Sequence, residues 1–250
     1  MNSPSELPDP PVRSAGPRWI AVAIAVAVIV LTALAASSAW WFYSRGQVSP
    51  EELAAKSELT TLGALVVMDP ERKFVNSVNL ATLKSPETFD RAVELLPALA
   101  RVKSLNFNAT PFRDEHAPSV ARIGNLQDLV LNNTAVTDAA IEMLAGLSGL
   151  STLYLVNTNV TSAGLPAIGQ MDSLKILDLS GTKVAGDFEP LQELSELNWL
   201  VAQRLSLDAA AITALGKCQG LTRLTLKETT VPEQAVSQLQ RERPSLTIDR

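Results

Sequence analysis

The chain contains one imidazole and one thiol, His116 and Cys218. An imidazole can act as a general base and a thiolate as a nucleophile, but each needs an activating partner. His116 lies in Arg113-Asp114-Glu115-His116, shortly before Pro118, with no nucleophile motif around it. It is read as a solvated histidine in a loop. Cys218 stands in a column otherwise filled by large apolar residues (below), so it is read as a small buried hydrophobe. One cysteine and one histidine cannot supply the usual metal-ligand set. Asp138 and Asp187 fall near expected helix starts, where a carboxylate complements the helix dipole. There is no glycine-rich phosphate loop, paired-carboxylate signature or serine elbow. No catalytic residue, metal or cofactor is assigned, and the chain is not read as an enzyme.

Charge narrows the partners. The formal net charge is −5 and the isoelectric point about 5.0. Nucleic-acid binding calls for clustered Lys and Arg that displace counterions, and no such cluster occurs. Nucleic acid is therefore excluded as a partner, and so is polybasic attraction to anionic lipid.

Residues 19–43 form an uncharged apolar run, and Ile20 to Leu31 is Ala, Val, Ile and Leu only. A helix needs roughly 20 such residues to span a bilayer. Trp19 marks one end and Trp40, Trp41 and Tyr43 the other, as interfacial rings do. The competing reading is a cleaved signal at Ala33-Leu34-Ala35 or Ser37-Ser38-Ala39. The length of the run and its bulky end favour a retained signal-anchor, since a signal core is about 7–15 residues. Arg13 and Arg18 on one side nearly balance Arg45 and Lys56 on the other. The expected topology is single-pass, with the N-terminus inside and the C-terminal domain outside the cytoplasm. Residues 1–18 hold five of the fifteen prolines and little apolar surface, so they read as a disordered tail. Residues 44–50 read as a linker.

The rest of the chain is periodic. The pattern L-x-x-L-x-L-x-x-T-x-V fits Leu126, Leu129, Leu131, Thr134 and Val136, and recurs from Leu150 and Leu174 at steps of 24 residues. It continues from Leu197 after 23 residues and from Leu221 after 24. Val102 begins an upstream copy, Val75 a divergent one, and Leu246 and Ile248 a truncated last one. Three further apolar columns precede each copy at spacings of three, for example Ile141, Leu144 and Leu147. That spacing fits one buried face of a helical turn. Each unit is thus a short strand, a turn and a short helix, and units must stack to bury their apolar edges. Residues 51–80 read as an N-terminal cap and divergent first repeat, and 81–250 as the repeat domain. In the cap, a helix starts near Glu51, and Leu65 to Met68 pairs with Lys73 to Leu80 across Asp69-Pro70.

Thr110, Thr134, Thr158, Thr182 and Thr229 share the ninth position. A hydroxyl both donates and accepts, so these residues are expected to form an internal structural ladder. Leu205 interrupts it and should leave a dry turn. Alternation along each strand turns the third, fifth and seventh positions away from the core. On that outer, concave face the early copies are Asn- and Ser-rich. The later ones carry Val130, Tyr154, Val156, Ile176, Trp199 and Val201, an apolar patch of the kind that marks partner sites. β-propensity alone also favours such residues in strands.

Thr134-Ala135-Val136-Thr137-Asp138 and Thr158-Asn159-Val160-Thr161-Ser162 resemble the T-x-V-T-D repeats of bacterial leucine-rich repeat proteins, and the likeness covers about Glu51 to Arg250. It implies an α/β leucine-rich repeat solenoid, with parallel strands on the concave face and short helices on the convex face, preceded here by a single transmembrane helix. The expected function is a membrane-anchored module that binds a protein or peptide through its concave face. A structural cell-envelope component without a discrete partner is the second reading, and an enzyme a distant third. The sequence motifs do not encode an oligomeric state.

Overall fold

The computed structural model describes residues 48–71 and 73–250. The tail 1–18, the apolar run 19–43 and most of the 44–50 linker lie outside the described residues. Among the described residues no helix is long and apolar enough to cross a membrane.

The domain opens with helix α1, Pro50–Leu62. Its start follows local chemistry. The Ser49 side chain accepts the Glu52 N–H at 3.0 Å, Pro50 occupies the first turn, and Glu51 and Glu52 face the positive end of the dipole. Its end is Gly63, at φ 98°, a left-handed cap that a side chain would strain. Buried Glu52 also accepts the Val75 N–H at 2.8 Å, tying the cap helix to the sheet. Strand β1, Leu65–Met68, then pairs antiparallel with β2, Val75–Asn79. The second strand starts two residues later than the sequence suggests. Lys73 has φ 59° and its N–H is bound to Asp69 O, so it belongs to the turn.

From β2 onward the sheet is parallel: β3 Ser104–Asn106, β4 Asp128–Val130, β5 Thr152–Tyr154, β6 Ile176–Asp178, β7 Trp199–Val201, β8 Arg223–Thr225 and β9 Thr247–Asp249. The nine strands lie in sequence order. On the other side of the core run α2 Pro86–Leu95, α3 Ala117–Ala121, α4 Asp138–Leu144, α5 Leu165–Ile168, α6 Ala209–Lys217 and α7 Glu233–Glu242, with short 3-10 turns between them. The repeat columns are the core. Leu126, Leu129, Leu131, Leu150, Leu153, Leu155, Leu174, Leu177 and Leu179 are all fully buried. Burying each such leucine is worth about 1.5–3 kcal/mol relative to exposure.

Strands β3 to β8 end in the same bend. Ala109, Asn133, Asn157, Gly181, Arg204 and Glu228 all have φ between 54° and 65°. The left-handed backbone is unfavourable for the non-glycine members, and its cost is offset by pairing. The N–H groups of Ala109, Asn133, Asn157, Gly181 and Arg204 each donate to a carbonyl of the next repeat at 2.7–3.2 Å.

The threonines close these bends locally. Thr110, Thr134, Thr158 and Thr182 each donate to the carbonyl three residues back, at 2.6–2.8 Å. They form a stack of equivalent bonds and do not link to one another. Thr229 behaves differently. Its hydroxyl reaches into the preceding repeat, donating to Ala202 O at 2.5 Å and accepting the Leu205 N–H at 3.5 Å. The Leu205 bend is therefore not dry, contrary to expectation, because the next repeat supplies the missing hydroxyl.

The Thr-Asp part of the motif has its own task on the helix side. Asp114 accepts both the N–H and the hydroxyl of Thr137, at 2.8 and 2.6 Å, and Asp138 does the same for Thr161. Each Thr then caps the following helical turn through Ala139 N or Ala163 N. One repeat's carboxylate thus positions the next repeat's helix start.

Candidate binding face

The outer face of the sheet is ordered by register. Thr152, Ile176, Trp199 and Arg223 stand side by side on β5 to β8, and Val130, Tyr154, Asp178, Val201 and Thr225 form the parallel row on β4 to β8. Val130, Tyr154, Val156, Ile176 and Trp199 are half-buried and present their outer surfaces to solvent. Val201 is only 6% exposed and is withdrawn from the patch. It shares the row, between Asp178 and Thr225, but it offers a partner almost no surface. Asp178 separates Tyr154 from Val201 and spends one carboxylate oxygen on Ser180 N at 2.9 Å.

Trp199 is held in place. Its indole N–H donates to Thr225 Oγ1 at 3.2 Å, and the Arg223 guanidinium lies 4.7 Å from a ring centroid. Arg223 is in turn paired with Asp249 at 2.8–2.9 Å. The indole therefore has no spare donor, and its polar edge faces the C-terminal strands. Tyr154 and Ile176 remain the accessible centre of the patch.

The Asn-rich end is chemically occupied. Asn79 and Asn106 accept backbone N–H groups of Ala81 and Asn108 at 2.8–2.9 Å. Asn132 accepts the Val156 N–H at 2.9 Å. Along the rim, Asn133 donates to Asn108 and Asn157 to Asn133 at 2.8–2.9 Å, and Arg204 closes the line on Asn157 at 3.0 Å. Gly181 makes that last contact possible. A Cβ there would stand 2.3 Å from Asn157 Oδ1. This rim ladder escaped the sequence reading, although the recurrence of Asn133 and Asn157 at the eighth position was a usable signal.

His116 is not a solvated loop residue. It ends a 3-10 turn, Asp114–His116, that runs into α3, and it is only 7% exposed. Its Nδ1 accepts the Arg113 N–H at 2.9 Å, so Nε2 carries the proton and donates to Asp90 Oδ1 at 3.0 Å. The ring packs against Phe89 and Phe112 at 5.2 and 5.3 Å. The burial arises because three aromatic residues from different segments (Phe89, Phe107 and Phe112) fill this layer of the core. Both ring nitrogens are committed to fixing the turn.

Cys218 is fully buried, and burial pushes its thiol up to about 11. Among the described residues no group of three or more His, Cys, Asp or Glu side chains could hold a metal ion. A cleft on the helix side lies between Asp187, Phe188 and Glu189 and one side of α6 from Ala209 to Lys217, where the 23-residue repeat carries only a 3-10 turn.

A stacked sheet of three-residue parallel strands, backed by short helices and closed by a terminal hairpin, defines a leucine-rich repeat solenoid. Solved structures of that class are similar to it. Internalin C2 of Listeria monocytogenes superposes with a TM-score of 0.54 at 20% identity, over 76% of this chain and 89% of that one. Internalin F of the same organism gives 0.54 at 19%, over 66% and 50%. A leucine-rich repeat protein of Leptospira interrogans gives 0.50 at 18%, over 63% and 45%. The chain thus spans half of internalin F and less than half of the Leptospira protein. At these identities the likeness is one of fold. No family model and no curated protein matches the sequence.

Proposed function

We propose that this protein is a non-enzymatic, membrane-anchored interaction module that engages a protein or peptide through the outer face of its sheet. The carrying observation is the register that sets Val130 beside Tyr154 and Ile176 beside Trp199 on adjoining strands. Val156 borders this strip. The strip is rigid, since each strand is bonded on both sides, so a partner would meet a preformed surface and bind with little ordering cost. Several polar groups beside the strip are already bonded within the protein, among them Asn132, the Ser180 N–H and the Trp199 indole, which leaves the apolar strip as the part of this face that a partner would cover. Tyr154 is the natural anchor, being large, amphipathic and unencumbered by the stacking that holds Trp199.

A photo-crosslinking residue at position 154 of the full-length chain tests this in cells of the source organism. Discrete protein adducts are expected from position 154 and not from exposed Met143 on the helix side. Equal adducts from both positions, or none from either, would overturn the docking face.

The membrane anchor is assigned to residues 19–43, on the length of the uncharged run and its flanking aromatic residues. The repeat domain is placed outside the cytoplasm. A reporter active only outside the cytoplasm, fused after Arg250, is expected to be active, and a cytoplasm-dependent reporter silent. The reverse pattern would place the partner inside the cell.

A further inference from the structure

The two ends of the sheet are finished differently. At β9 the edge is polar: Asp249 is paired with Arg223 and Arg250 with Glu233. Charged edges of this kind resist strand addition. At β1 the edge strand is Leu65-Val66-Val67-Met68, without a charge or a proline. Leu65 is 60% and Val67 49% exposed. Leu53 of α1, which packs against β1, is 49% exposed. These are three of the four exposed large hydrophobic side chains among the described residues. The cap covers the end of the core, and among the described residues no strand pairs with its own outer edge.

We propose that β1 pairs antiparallel with β1 of a second copy about a two-fold axis through Val66, joining two sheets into one. Backbone direction comes first. In β2 the carbonyl of Asn76 faces β3, where it accepts the Lys103 N–H at 2.9 Å. By strand alternation, Ser77 and Asn79 then face β1, where they pair with Val67 and Leu65. Leu65 and Val67 thus spend their backbone groups on β2. Val66 and Met68 direct theirs at the open edge.

Register follows from what each axis brings together. A two-fold antiparallel pair keeps both sheets facing the same way, and its bonds must be exchanged through the outward groups of Val66 and Met68. An axis through Met68 sets Val66 against Pro70, which has no N–H to give. An axis through Val67 would exchange bonds between Val66 and Met68 of opposite copies, but it draws Met68, at the register shift, into the ladder and sets exposed Leu65 against the Asp69 carboxylate. The axis through Val66 exchanges two bonds between the two Val66 residues and sets Leu65 of each copy against Val67 of the other. The four exposed apolar side chains then meet as one cluster on the outer face. The pairing consumes the edge on both copies, so it closes at a dimer and does not polymerise. It leaves Tyr154 and Ile176 free, four and five strands away.

The test uses the full-length chain with Val66→Cys or Met68→Cys under mild oxidation. Cys218 is buried and does not compete. In this register the Val66 Cα atoms approach to about 5.5 Å, within disulfide reach, while the Met68 Cα atoms lie beyond about 7 Å. V66C is expected to run as a covalent homodimer and M68C as a monomer. Adding Val67→Lys to V66C is expected to abolish the dimer without changing the circular dichroism, because position 67 is exposed. A V66C chain that stays monomeric, that crosslinks only to another protein, or that crosslinks no better than M68C overturns the proposal. None of these outcomes bears on adducts formed at position 154.

Discussion

Replacing Phe112 with Ala is expected to cost about 3–5 kcal/mol, the range for removing a fully buried phenylalanine ring from a core. Phe112 has no exposed surface and its ring lies 4.5 Å from Phe107 and 6.3 Å from Phe89. Phe89 meets both Phe107 and Phe112 edge-on, the geometry that adds a quadrupolar gain to area burial, and the second of these contacts is lost with the Phe112 ring. The loss would spread to the polar side of the layer. Phe112 also supports the His116 ring, whose two hydrogen bonds hold the 3-10 turn to Arg113 and Asp90. With the ring gone, that turn loses the wall that keeps its imidazole in place. Urea unfolding followed by circular dichroism measures the cost. Phe112→Leu provides the comparison and should cost about 1.5 kcal/mol, since most of the volume is kept. Because repeats interact mainly with their neighbours, amide exchange in F112A should quicken in α2, α3 and β3 well before β7 and β8 respond. If F112A shifts stability by less than about 1 kcal/mol, the aromatic layer is not packed as described.

What could be read from the sequence follows from how each feature is encoded. The leucine columns recur in one dimension, so the strands, their order and the core were accessible from spacing alone. The cap hairpin was accessible too, because Asp69-Pro70 separates two short apolar runs. Features that depend on several segments meeting were not accessible. His116 appears isolated in the chain, and its burial follows only when Phe89 and Asp90 arrive from the preceding repeat and Phe112 packs on the ring. Val201 holds an outward position by count, yet it is almost fully buried. The loss of threonine at Leu205 suggested an unsatisfied bend, and the remedy, Thr229, comes from a copy 24 residues on. The binding strip lies between these cases. Its columns were legible, but the stacking of Arg223 on Trp199, which shifts the accessible centre to Tyr154 and Ile176, was not.

The C-terminal end depends on a residue that no repeat column marks. Helix α6 ends at Lys217, and the last carbonyls of any helix lack internal partners. Arg243 gathers them. One of its terminal nitrogens donates to Gly216 O and Cys218 O at 2.8 and 3.1 Å, and the other to Leu221 O and Gln219 O at 2.8 and 3.5 Å. A guanidinium suits this task because its donors are fixed in a fork and its charge opposes the negative end of the helix dipole. Arg243→Ala would leave several half-buried carbonyls without a donor and is expected to cost about 2–3 kcal/mol. Arg243→Lys separates the two causes. An ammonium keeps the charge but is a compact donor that cannot span carbonyls from Gly216 to Leu221 at once, so it should restore less than half of the loss. Thermal melting gives the totals, and amide exchange in α7 and β9 locates them, since α7 packs against α6 and β9 against β8. Full rescue by lysine would show that charge at the helix end is sufficient and the fork unnecessary. Failure of lysine to rescue would make Arg243 the clamp that joins the β9 repeat to the one before it.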